Sequence, residues 1–167
     1  MQQEKLHIGD LIKSTLEQEG RSVKWLAKEI HCKGRNIYNI FNRTSIDTLQ
    51  LLKICFALRT NFFVYYSEIY ENKFEKTEYI VSKIDYKIHQ DEFHIGGLIK
   101  KMLEDDERSV NWLAKMIHCK RRNVYDIFNR SSIDTAQLMS ICKALKTNLF
   151  VCFCELYRNK VSAMNNP

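Results

Sequence analysis

Residues 7–70 align without a gap on residues 94–157 at a fixed offset of 87, with 42 identities and 22 differences over the 64 positions. The chain contains itself twice. Any fold it takes must therefore be one small unit used two times, and a unit of about 65 residues lies close to the lower limit for a chain that folds alone. The longest shared strings are RSVxWLAK, IHCKxRNxYxIFNR and SIDTxQL. Most differences are of a kind a fold tolerates, such as Ile37 against Val124 or Leu52 against Met139; Gly34 against Arg121 and Asn39 against Asp126 are sharper.

Composition narrows the unit to helices. One Pro and five Gly in 167 residues are too few for a sandwich or barrel that reverses every ten residues or so. With 45% hydrophobic and 11% aromatic residues, the chain has the material for a core, and disorder over most of its length is excluded. No apolar run approaches the roughly 18 residues of a membrane span, and the start MQQEKLHIGD lacks the apolar stretch of a signal peptide. A cytoplasmic protein without membrane contact is expected. Its six cysteines then read as reduced, small hydrophobes. Cys152 and Cys154 have a CxC spacing, but no second cluster completes four ligands, so neither a metal nor a cofactor is expected.

Periodicity places five helices per unit. Ile8, Leu11, Ile12 and Leu16 make the stripe of a first helix ending near Gly20. Ser22 caps a short second helix with the stripe Val23, Leu26, Ala27 and Ile30, and a third starts before Ile37, Ile40 and Phe41. Asp47 and Gln50 form a capping box for a fourth, whose Leu51, Leu52, Ile54, Cys55 and Leu58 face the core. Asn61 caps a fifth with Phe62, Phe63, Tyr66 and Ile69. The second unit repeats every element. Between them, residues 71–93 carry a charge of −2 against +3 for each unit, and Ile80, Ile84 and Ile88 allow one more helix, or a strand through Ile84, Tyr86 and Ile88. The expected organisation is a first unit over 1–70, a partly ordered linker over 71–93, a second unit over 94–157 and a flexible tail over 158–167.

Two short helices separated by a few residues, the second opening in a basic and polar run, have the layout of a helix-turn-helix. The string RSVKWLAKEIHCKGRNIYNIFNR followed by SIDTLQLLKICFAL resembles the phage-repressor-like (Cro and lambda-repressor, XRE-type) helix-turn-helix family, and the likeness covers both units, about three quarters of the chain. It implies an all-α protein of two tandem five-helix lambda-repressor-like domains. Leu26 and Ala27 stand where the family places its Leu-Ala pair, and Ile37 and Ile40 at the buried positions of its recognition helix. The residues left to face base edges are Gly34, Arg35, Asn36 and Asn39, and in the second unit Arg121, Arg122, Asn123 and Asp126. Arg can bind guanine O6 and N7 bidentately, Asn can do the same to adenine, and Asp can accept from cytosine N4.

A polar face on a helix is often merely solvated. Local charge favours a ligand: residues 31–45 and 118–132 are each +3. Lys33 and Lys120 stand where a third helix begins, a place at which the helix dipole disfavours a cation and a polar cap would stabilise by about 1 kcal/mol. A nearby phosphate explains them. The other phosphate candidates are Arg21 and Ser22 at the start of the second helix with their twins Arg108 and Ser109, Arg43 and Arg130, and Tyr38 and Tyr125 on the outer side of the third. Trp25 and Trp112 fall off the buried stripe and read either as anchors or as cover for a neighbouring helix. His31 and His118 occupy the turn.

The expected function is a sequence-specific double-stranded DNA-binding transcriptional regulator, a repressor, whose two covalently joined reading helices meet an imperfect inverted or direct repeat. A 23-residue linker reaches about 35 Å as helix and about 75 Å extended, enough for adjacent major grooves. The competing expectation is a protein-interaction or antitoxin-like module using the same surface, and a homodimer is a further candidate assembly. No Gly-rich phosphate loop, metal cluster or nucleophile motif points to an enzyme.

Overall fold

The computed structural model describes residues 6–70, 73–74 and 93–165. The linker helix expected through Ile80, Ile84 and Ile88, and its strand alternative, lie outside them. The described residues are all-helical, with no strand and one isolated bridge. Five helices come first: α1 (Ile8–Gln18), α2 (Val23–Glu29), α3 (Gly34–Phe41), α4 (Thr48–Ala57) and α5 (Phe63–Ile69). Five more follow, each starting 87 residues after its counterpart: α6 (Ile95–Asp105), α7 (Val110–Met116), α8 (Arg121–Phe128), α9 (Thr135–Leu145) and α10 (Phe150–Asn165). None is long and apolar enough to cross a membrane.

The helix ends follow from local chemistry. His7 and His94 cap α1 and α6, their Nδ1 atoms accepting from Asp10 N and Gly97 N. Ser22 and Ser109 cap α2 and α7, each Oγ accepting from a tryptophan N–H three residues on at 3.1 Å. Asp47 accepts from Leu49 N and Gln50 N at the start of α4, and Asn61 accepts from Phe63 N at the start of α5. Gly20 closes α1 at φ +62°, the left-handed conformation that glycine adopts without a Cβ clash. Its counterpart Glu107 takes the same turn at φ +52° and pays for it in strain.

Gly9 and Gly96 explain the HIG string. A Cβ on Gly9 would lie 2.3 Å from the carbonyl oxygen of Phe41, and one on Gly96 would lie 2.1 Å from that of Ile127. Their N–H groups donate to Arg43 O and Arg130 O, so the start of the first helix of each set is seated on the end of the third. Small Ala27 and Ala114, both buried, stand on the face where α2 meets α3 and α7 meets α8.

The two sets share a core. Phe63 stacks on Phe153, and Tyr66 on Phe150, with ring centroids 4.8 Å apart in both pairs. Position 150 is the counterpart of 63 and 153 of 66, so each contact is the other with the sets exchanged. The SIDT strings meet in the same reciprocal way. Thr48 N donates to Ile133 O and Thr135 N to Ile46 O, while the fully buried Thr135 and Thr48 hydroxyls accept from Ile46 N and Ile133 N. Such reciprocity defines an isologous, two-fold interface. Ordinarily it joins two chains; here it lies within one.

The exchange is imperfect towards the end of the chain. The Tyr66 hydroxyl donates to Thr135 Oγ1, where Phe153 has nothing to offer. Phe56 stacks on Tyr157 with Lys160 over its ring, whereas the counterpart of Phe56 is Lys143. Where a flexible tail was expected over 158–167, residues 158–165 are the closing turns of α10 and lie along the first set of helices through Lys160 and Met164, while 166–167 lie outside the described residues.

Candidate nucleic-acid interface

On α3, Ile37, Ile40 and Phe41 are buried, and on α8 so are Val124, Ile127 and Phe128. A helix that buries those positions must turn the rest outward. Arg35, Asn36, Tyr38 and Asn39 are exposed on α3, with Gly34 half-buried at its start; Arg121, Arg122, Asn123, Tyr125 and Asp126 are exposed on α8. All eight positions expected to face base edges thus sit on two equivalent helices of one body. Tyr38 and Tyr125 are 59% and 43% exposed, a large apolar area to leave in water on a basic surface.

Among the described residues, no ion pair uses Lys33, Arg35, Arg43, Lys120, Arg122 or Arg130. Lys33 and Lys120 are the N-cap residues of α3 and α8, and neither side chain makes a capping hydrogen bond. The surface therefore keeps its positive charge and two uncapped helix starts.

The two faces differ in one contact of consequence. An Arg121 N–H donates to the Tyr125 hydroxyl at 2.9 Å, and its guanidinium lies 5.5 Å over that ring. At the equivalent place on α3, Gly34 has open space around its Cα. Arg121 is held back along its own helix while Arg122 is not.

Among the phosphate candidates, Arg21 and Arg108 lie over the rings of Trp25 and Trp112, the guanidinium carbon 4.8 Å from the ring centre in both. Ser22 and Ser109 cap their own helices, as a serine at that position should. Arg43 and Arg130 follow the ends of α3 and α8, where their carbonyls hold Gly9 and Gly96. His31 and His118 make the turn at φ +53° and +52°.

No family model, curated protein or solved structure matches this chain. What the surface does is read from its own side chains. Among the described residues, no group of three or more His, Cys, Asp or Glu is arranged to hold a metal ion. Cys152 and Cys154 are buried, and burial pushes the Cys154 thiol up to about 11 and the Cys152 thiol higher still, which suits neutral packing groups. Cys55 and Cys142 are raised to about 12 for the same reason.

Three features were missed by the sequence reading: the Arg–Trp stacks, the Arg121–Tyr125 pair, and the cross-set aromatics of α5 and α10. The first two follow an i, i+4 spacing visible in the sequence. The third had a signal in FFVYYSEIY, too aromatic on too many sides for the outer helix of a lone small unit.

Proposed function

We propose that the chain is a sequence-specific double-stranded DNA-binding regulator, built from two tandem phage-repressor-like five-helix units and acting in the cytoplasm as a repressor that works by occupancy. It is a binding protein and not an enzyme. The observation that carries this reading is the repetition of one exposed, cationic, Arg/Asn-bearing helix face on α3 and α8, with the two helices exchanged by a reciprocal interface.

An exchange of this kind suits two half-sites of opposite sense, so the operator is an imperfect inverted repeat and not a direct one. Arg35 and Asn36, with Arg122 and Asn123, supply the common reading of guanine and adenine. Gly34 against Arg121 and Asn39 against Asp126 supply the difference, and the half read by α8 is richer in G·C. Lys33, Lys120, Arg43 and Arg130 neutralise the flanking phosphates.

The test is selection of bound sequences from a random duplex library of about 30 base pairs at near-physiological salt, beside the double variant Arg35→Ala with Arg122→Ala. Two linked, inverted half-sites that vanish in the variant are expected. One half-site alone means that only one face reads DNA. No enrichment, with weak salt-sensitive binding only, defeats the proposal and leaves the protein-interaction or antitoxin-like reading in its place.

A further inference from the structure

We infer that Trp25 and Trp112 are positioning residues that hold Arg21 and Arg108 edge-outward as a pair of grips for the backbone phosphates of duplex DNA, an inference that rests on the DNA-binding reading above. The geometry is the same twice: a guanidinium carbon 4.8 Å from an indole centre, four residues apart on the chain. An indole beneath the guanidinium carbon attracts the cation without accepting a conventional hydrogen bond from it. The five N–H donors of the planar guanidinium are not used up by such a contact.

Those donors are unspent. Among the described residues, the backbone N–H groups of Arg21 and Arg108 donate to Leu16 O and Leu103 O, but neither guanidinium makes a hydrogen bond or an ion pair. Carboxylates are near: Glu19 and Glu29 line the same cleft as Arg21 and Trp25, and Glu107 precedes Arg108. A guanidinium that stacks on an indole with acids so close keeps its fork for something outside the fold. Bidentate recognition of a planar or tetrahedral oxyanion is what that fork does best, and a stack that fixes the side chain beforehand leaves less freedom to lose on binding.

The position fits a phosphate flanking the groove. Arg21 precedes Ser22, whose Oγ accepts from Trp25 N and keeps its O–H to donate, and Arg108 and Ser109 repeat the arrangement. In a helix-turn-helix the first helix of the motif crosses the nucleic-acid backbone while the second enters the groove. Half-burial of the indole alone would serve packing as well with leucine; the outward arginine would gain nothing from it.

The chain has two tryptophans, and they are these two, so its tryptophan emission reports on the grips alone. The full-length chain would be titrated with the selected duplex while a label on the DNA reports binding independently, using Trp25→Phe and Trp112→Phe to isolate each emitter. Emission is expected to shift on binding in both. Trp25→Leu with Trp112→Leu should bind about tenfold more weakly, with a slope of log K against log salt shallower by about 1.8, or 0.9 for each lost phosphate; the phenylalanine pair should keep most of both. Arg21→Lys with Arg108→Lys, which leaves the indoles and the charge, should abolish the emission shift and covers the case of a poorly folded leucine variant. Binding with unchanged emission, or a leucine pair with the original salt slope, overturns the inference while the DNA reading stands. Failure of the unaltered chain to bind any duplex overturns both.

Discussion

The ring of Tyr66 lies on that of Phe150, centroids 4.8 Å apart and planes 12° apart, and its hydroxyl donates across the same boundary to Thr135. Both rings are essentially inaccessible to solvent. The contact joins residues far apart in sequence and belongs to core packing. Two small units that might have been joined only by a tether are thereby made one folding body.

Truncating Phe63 or Phe153 to alanine should therefore destabilise the whole chain by about 3–5 kcal/mol. The double variant should lose clearly less than the sum, since each ring is the other's partner. Urea unfolding followed separately through Trp25 and Trp112 checks this. A single coincident transition is expected; two separate ones would mean the sets unfold independently.

Lys33 and Lys120 open α3 and α8 without capping them. Replacing both by Asp should raise stability by about 1 kcal/mol per helix through a side-chain cap and a favourable dipole. The same change should weaken duplex binding several-fold. A melting curve and a binding curve on one variant test the two signs together, and a rise in both would remove the phosphate role.

Glu107 holds φ +52° where its counterpart Gly20 holds +62°. Glu107→Gly should stabilise the chain by about 1 kcal/mol, because the left-handed strain is relieved. Chemical denaturation measures it, and a loss of stability would show that the glutamate side chain contributes more than its backbone costs.

Alkali should weaken the fold. Burial holds the thiols of Cys55 and Cys142 up near 12 against an ordinary value of 9.0, and the Tyr66 phenol near 12 against 10.0. Above about pH 9 the unfolded chain gives up protons that the folded chain keeps, so stability present in full below that pH falls as pH climbs towards 12. Denaturation midpoints should be flat from about pH 7 to 8.5 and then decline. A flat profile to pH 11 would mean these groups ionise in place.

The helices, most of their caps and the outward faces of α3 and α8 were legible because each depends on a period or a residue type at one position. Ile37, Ile40 and Phe41 fix by spacing alone which side of α3 is buried. Spacing does not say what covers a buried side. Phe63 and Tyr66 read as the stripe of a unit's own core, and the structure gives them Phe153 and Phe150 of the other set. The length of α10 was hidden for a related reason: past Tyr157 the repeat has no counterpart to compare, and its order comes from contact with Phe56. Arg121 shows the limit at the site itself, where an expected base reader is drawn onto Tyr125 by a neighbour one turn away.

A symmetric dimer made from separate chains exists only while enough copies are present to find one another, and dilution takes it apart. The reciprocal interface of Tyr66, Phe150, Phe63 and Phe153 is closed within a single chain. Its formation is a unimolecular event with no concentration in its equilibrium. A handful of molecules in a cell would be as fully assembled as a thousand, and the response to rising dose would be a plain hyperbola without a threshold.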